Sequence, residues 1–210
     1  PVTLDLLESS AVDIFNYLNE EFAEAFGNDL DSKCFTDQNS VGIGVLYGAG
    51  KSETLATGKV ITDLTVQNLL NMLGALQTTA TVGGMWVMSP SVFSVVAGLN
   101  DGSGRPIYLG PGLGVPGSLL NYGYALCDQM PTKTAASSAN TAALFFGNLR
   151  KYRIGEALDM EIAVSKEATV DLSAGSISAF SYALAVFGGM CRRSMNLEVP
   201  DAFVKLETGA

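Results

Sequence analysis

From residue 64 to residue 100 the chain carries no charged side chain, and no other feature limits its fold as much. So long an uncharged run has to be withdrawn from water, by lipid or by protein. Lipid fits poorly. Gln67, Asn68, Asn71, Gln77 and Pro90 interrupt the run, Ser, Thr and Gly are frequent in it, and it lacks the flanking Lys and Arg that orient a membrane helix. Residues 172–191 are uncharged and broken in the same way. Burial within the fold and against neighbouring chains explains both runs better, and no membrane partner is expected.

The second half of the longer run has a readable local grammar. Met85, Trp86, Val87 and Met88 form an apolar segment with the length of a buried strand. Ser89 then offers an N-cap oxygen, and Pro90 has its φ already set for a first helical turn. Val92, Val95, Val96 and Leu99 follow at i, i+3, i+4 and i+7, the apolar face of a short helix. Asn100-Asp101-Gly102-Ser103-Gly104 closes it in a tight turn, and residues 106–109 return as a strand.

Charged residues make up 16% of the chain and apolar residues 48%; an ordinary soluble domain is roughly one quarter charged. Much of the surface is therefore expected to be covered by other molecules. The formal net charge is -9 with a pI near 4.4, so counterion release from nucleic acid cannot drive binding and an anionic membrane would repel the chain. The absence of histidine removes the imidazole base, proton shuttle and metal ligand together. Cys34, Cys127 and Cys191 stand far apart with no C-x-x-C pair, the pattern of buried free thiols rather than of a zinc site or disulfide framework. No metal or cofactor is expected. The sequence opens at Pro1 without a leader pattern, which reads as a fragment or a processed product. At 210 residues it can form one good core, or two lobes sharing one.

The strongest helical period runs through Leu4, Leu7, Ala11, Ile14, Phe15, Leu18, Phe22 and Ala25, with Glu20, Glu21 and Glu24 on the opposite face. A second N-cap at Ser10 and Asp13 is expected, and a stop at Gly27-Asn28. The acidic face has two readings, a solvated surface or a groove for another segment, the second making Glu20 and Glu24 candidate interface residues. Residues 29–56 read as a glycine-rich loop with a short apolar insert. Within it, Gly48-Ala49-Gly50-Lys51-Ser52 approaches a phosphate-binding loop, but Val45 occupies the place of the first glycine and Gly58 interrupts any following helix.

Thr62-Asp63 is expected to start a helix with Val66, Leu69, Leu70, Leu73 and Leu76 on its apolar side. Residues 125–127 resume as a strand, residues 132–141 form a mobile small-residue loop, and residues 142–146 a buried strand. Residues 151–167 alternate best, with Met160, Ile162 and Val164 opposite Asp159, Glu161 and Ala163, the mark of a long half-exposed strand. Residues 176–190 fit helix or strand. Residues 196–206 close as a strand with a turn at Pro200-Asp201.

The ordered set MWVMSPSVFSVVAGLNDGSGRPIYL, ALCDQMP, ALFFGNLRKYRIGEALDMEIAVSKEA and MCRRSMNLEVPDAFVKL resembles the major capsid proteins of tailed bacteriophages, the Hong Kong 97 fold. AVDIFNYLNEEFAEAF resembles that family's long spine helix, and VGIGVLYG the segment that follows it. The resemblance implies an α+β fold. Residues 1–55 and 142–190 would form a peripheral domain of spine helix and long strands, and residues 56–141 and 191–210 an inserted axial domain. It also implies a non-enzymatic subunit that self-assembles through hexamers and pentamers into an icosahedral shell around DNA. Scaffold, maturation protease and portal would be further partners, and no specific nucleic-acid binding is implied. The subunit would be made in the bacterial host cytoplasm and reside in the virion.

Asp101 and Arg105 would then be contacts near the capsomer axis, beside the plainer reading of a solvated turn. Family members carry an N-terminal arm and an extended loop before the spine helix, and this sequence offers no match to either. Some members cross-link a lysine to an asparagine with help from a glutamate. Residues 185–193 contain neither Asn nor Glu, so that chemistry is not carried over. Two alternatives remain: an encapsulin-type nanocompartment shell, which shares the fold, and a nucleotide-binding enzyme using Gly48 to Ser52.

Overall fold

The computed structural model describes residues 2–5, 14–38, 42–77, 81–110, 117–172 and 175–209. A short strand, β1 (Val2–Thr3), precedes the long helix α1 (Ile14–Thr36). The stop expected at Gly27-Asn28 does not occur. Ile14, Leu18, Phe22, Phe26, Leu30 and Cys34 recur every fourth residue and none is exposed, so the apolar row carries the helix through the glycine. An exposed helical glycine costs only about 1 kcal/mol relative to alanine, and burying even half of a Phe or Leu side chain offsets that. At 1.5 Å per residue, α1 is roughly 35 Å long. The N-cap expected at Ser10 and Asp13 lies outside the described residues. Residues 29–56, read as a loop, instead hold the end of α1, a single helical turn α2 (Val45–Gly48) and the strand β2 (Lys51–Thr54).

The helix expected from Thr62-Asp63 starts later. Ile61–Asp63 is a 3-10 turn in which Asp63 Oδ2 accepts from the Val60 N–H at 3.2 Å. Thr65 then caps α3 (Val66–Ala75), its N–H and hydroxyl reaching Asn68 Oδ1 at 3.2 and 2.6 Å. Leu69 and Met72 are fully buried, whereas Leu70, expected on the same apolar side, is exposed.

The strand β3 (Met85–Met88) and helix α4 (Pro90–Ala97) form as the sequence predicts. The Ser89 hydroxyl accepts from the Val92 N–H at 3.4 Å and donates to the Pro131 carbonyl at 2.9 Å. The chain continues through β4 (Tyr108–Leu109), β5 (Ser118–Leu119), β6 (Gly123–Leu126) and β7 (Ala142–Gly147). The loop at 132–141, expected to be mobile, is tied down. Ala136 is fully buried in a 3-10 turn, and the Thr208 hydroxyl donates to Ser138 O and accepts from the Thr141 N–H. Two long strands follow, β8 (Tyr152–Ser165) and β11 (Leu184–Leu197), with the hairpin β9 (Thr169–Leu172) and β10 (Gly175–Ser178) between them. A 3-10 turn at Pro200–Ala202 leads into β12 (Phe203–Glu207).

The chain divides into two compact units, Asp31–Ile154 with Met195–Ala210, and Pro1–Leu30 with Gly155–Ser194. The first is built on a mixed sheet in the order β2-β12-β7-β3-β6. Both outer pairs, β12 with β2 and β3 with β6, are parallel, and β7 is antiparallel to each of its neighbours. Strands covered on both faces read as continuous apolar runs, and MWVM and AALFF do so. Trp86, Met88, Leu144, Phe146, Val204 and Leu206 point to one core with α3 and α4 residues. Val87, Phe145 and Phe203 point to another with Val45, Leu46 and Leu197. Gly147 marks how tightly the sheet packs, since a Cβ there would lie 2.5 Å from the Phe203 ring.

The second unit holds most of the sheet β1-β11-β8, the β9-β10 hairpin and α1 as far as Leu30. Val2 pairs with Ala185 and Thr3 with Leu184. Along β8, Leu158, Met160 and Ile162 are half-buried between exposed neighbours, as alternation predicts, but Val164 is exposed. Phe187 meets Phe15 with ring centroids 6.2 Å apart. A Cβ at Gly189 would come within 2.8 Å of Phe26 and 3.3 Å of Phe22; the bare glycine is what lets helix and strand approach.

Candidate functional site

Asp101 and Arg105 lie in the five-stranded-sheet unit and Glu20 and Glu24 in the other. Asp101 is occupied by its own turn. Its Oδ1 accepts from the N–H groups of Ser103 and Arg105 at 2.8 and 2.9 Å, and its N–H donates to Arg105 O at 2.7 Å. Gly104, at φ 77°, supplies the left-handed step. The result is a rigid exposed loop that displays the Arg105 side chain. Glu20 and Glu24 are exposed on α1. On the same helix Tyr17 is held above its usual phenol pKa by the hydrogen bond to Glu21.

The segment Gly48 to Ser52 does not make a phosphate cradle. Such a loop presents free backbone N–H groups at the head of a helix. Here the N–H groups of Gly48, Ala49 and Gly50 donate to Gly44 O, Val45 O and Pro200 O at 2.9, 3.0 and 2.8 Å. Lys51 and Ser52 enter β2 rather than a helix, and Lys51 Nζ lies 3.7 Å from the Asp201 carboxylate.

Other polar groups are likewise engaged with the fold. The Tyr152 hydroxyl donates to Ile43 O at 3.1 Å. Burial, reinforced by neighbouring Cys34 and Asp37, pushes its pKa well above the ordinary value. Tyr108 is raised by its hydrogen bond with Tyr124, in an aromatic cluster that includes Phe93. Lys205 Nζ contacts Glu207 Oε1 at 2.7 Å beside a small cavity of about 120 Å³ lined also by Thr36, Tyr47 and Asn140. Arg193 Nε sits 3.0 Å from Glu156 Oε1 without a hydrogen bond to it. Among the described residues no three His, Cys, Asp or Glu side chains gather as a metal site, and no helix is long and apolar enough to cross a membrane.

What the molecule presents is surface, and its most prominent apolar part was not among the sequence candidates. Phe180 and Tyr182 stand 80% and 68% exposed on the turn between β10 and β11, beside a groove of about 320 Å³. The sequence signal for it is Phe180 and Tyr182 within the uncharged run 172–191, although no local pattern marks a turn there.

Comparison with known proteins fits a surface-dominated molecule. The model of the phage capsid family matches residues 1–208. Among solved structures, the capsid of an empty GTA particle aligns at 22% identity and TM-score 0.74 over 100% of this chain and 71% of that one. The capsid of a native GTA particle aligns at 19% identity and TM-score 0.76, over 100% and 70% of the two chains. A chain from Mycobacterium phage Adephagia aligns at 15% and 0.66, over 100% and 69%. No curated protein matches.

Proposed function

Because the chain belongs to the phage capsid family, we infer that it assembles with copies of itself, as hexamers and pentamers, into the closed icosahedral shell of a tailed phage or GTA-like particle. It is a structural capsid subunit, and its α+β architecture is the Hong Kong 97-like fold. The family match across residues 1–208 carries the reading.

In this proposal the unit of α1 and the long strands is the peripheral domain. The unit of the five-stranded sheet is the axial domain, which brings Asp101 and Arg105 toward the capsomer centre. Strands β2 and β7 go with the axial part because they hydrogen-bond to β12 and β3. The proposal takes the boundaries at about 30, 154 and 194, rather than 55, 142 and 190, with the division into compact units in support. Glu20 and Glu24 would lie on the peripheral helix, where an acidic face suits a basic segment of a neighbour. Synthesis in the host cytoplasm, and dependence on scaffold, protease and portal, belong to the same proposal.

Low charge and extensive exposed apolar surface support it, since permanent assemblies bury upwards of about 2,000 Å² per interface. The test is negative-stain electron microscopy of the full-length product expressed alone and with its genomic neighbours. Angular shells or six-fold rings are expected. Discrete monomers under every condition, including with the neighbouring gene products present, would defeat the reading.

A further inference from the structure

Phe180 and Tyr182 are the most exposed aromatic side chains among the described residues. Large aromatics left in water on a floppy tip would be unremarkable, but this turn is held on three sides. The Ala179 N–H donates to Ala168 O at 2.9 Å, the Leu184 N–H to Ala179 O at 2.8 Å, and the Leu4 N–H to Ala183 O at 3.0 Å. Ala183 is fixed in the left-handed region at φ 50°, where a residue with a side chain is strained. The aromatics are thus presented by a braced backbone, and little further ordering is needed for them to bind.

Phe180 also forms part of the wall of the groove of about 320 Å³, with Leu4, Ala179, Ala183, Leu184, Lys166 and Glu167. A closed apolar cavity of roughly 150 Å³ accepts a benzene ring, so this one has room for an aromatic side chain. Neither Lys166 nor Glu167 takes part in an ion pair among the described residues. One patch therefore carries exposed aromatics, an apolar groove, and a cation and an anion with no ion-pair partner among the described residues. Those are the ingredients of a surface complementary to itself.

We propose that this patch is a contact between copies of the chain: the turn bearing Phe180 and Tyr182 of one copy seats in the groove of another, with Lys166 of one facing Glu167 of the other. The aromatics are the anchors and the charges set the register. The inference rests on the capsid reading and names which surface the shell uses.

The experiment uses the full-length protein under the conditions that give particles. A photo-reactive phenylalanine analogue placed at position 180 should cross-link between copies, to peptides containing Leu4, Lys166 or Leu184. Phe180→Asp should reduce particle yield by about tenfold or more, the loss expected of an interface anchor, while the circular dichroism of the free subunit stays unchanged because the side chain is exposed. Lys166→Glu should impair assembly and Lys166→Glu with Glu167→Lys should restore it. Particles at normal yield from Phe180→Asp, or cross-links only to other regions, overturn the contact and leave the capsid reading standing. No particles from the unmodified chain overturn the capsid reading, and this contact with it.

Discussion

The two units of this chain reach order by different means. In the five-stranded-sheet unit Trp86, Met88, Leu144, Phe145, Phe146 and Phe203 are all essentially without exposure. In the unit of α1 and the long strands, the only fully buried apolar residues among those described are Ala179 and Ala185. Its larger side chains, Leu18, Phe22, Phe26, Met160 and Ile162, are only half-covered, and Phe15, Tyr17, Met190, Phe180 and Tyr182 are exposed. One unit carries its own core. The other is a thin layer of helix on sheet whose apolar surface exceeds what it can cover alone. Under the proposed assembly, the half-covered unit is the one whose burial neighbouring copies would complete.

The widest expected gap is between matched truncations. Trp86→Ala removes a ring that packs on Phe146 at 4.7 Å and donates to Leu119 O at 3.2 Å, and should cost about 3–5 kcal/mol. Phe187→Ala, in the half-covered unit, should cost roughly 1–2 kcal/mol in the free subunit. Urea denaturation of both variants measures the difference, and equal losses would break the comparison.

A smaller effect sharpens it. Gly189→Val pushes a side chain into Phe26 and Phe22 and should destabilise by about 1–3 kcal/mol, typical of overpacking. Hydrogen exchange should show the loss along α1 and β11 with β3 and β7 unaffected. Loss spread evenly over both units would mean that they unfold as one.

The smallest change is expected from Glu156→Gln. The pair with Arg193 is partly exposed, with side chains 48% and 21% accessible, and lacks a hydrogen bond from Nε. Removing the charge should shift stability by less than about 1 kcal/mol, and less still at high salt. A loss above about 2 kcal/mol would show that the thin unit depends on electrostatics rather than on apolar cover.

The parts of the fold that were legible are those where local chemistry and tertiary packing agree. Ser89-Pro90 starts a helix because the hydroxyl caps Val92 and the ring suits the first turn, and both would hold in a peptide. The alternation of Met160, Ile162 and Val164 marks one face of a strand, and the structure half-covers Met160 and Ile162 while Val164 stays exposed. Where the two levels disagree, local signals misled. Gly27-Asn28 looks like a helix end, yet Phe26, Leu30 and Cys34 continue the covered row on its far side. Leu70 fits the apolar stripe of α3 by spacing, but the structure leaves it exposed. Asp101 and Arg105 were legible as a turn, whereas the groove beside Phe180 was not. Leu4 is brought to Ala183 by pairing between segments far apart in sequence, which no local pattern encodes.

The position of β12 inside its sheet has a consequence for biosynthesis. Val204 pairs with Lys51 on one side and with Phe146 on the other, so β2 has no ladder partner until residues 203–207 leave the ribosome. At synthesis rates of about 5–20 residues per second, β2 waits on the order of ten seconds. Once made, the apolar strand β7 likewise has β3 on one side and an open edge on the other until β12 arrives. A message cut short before residue 203 would yield chains that never close this sheet.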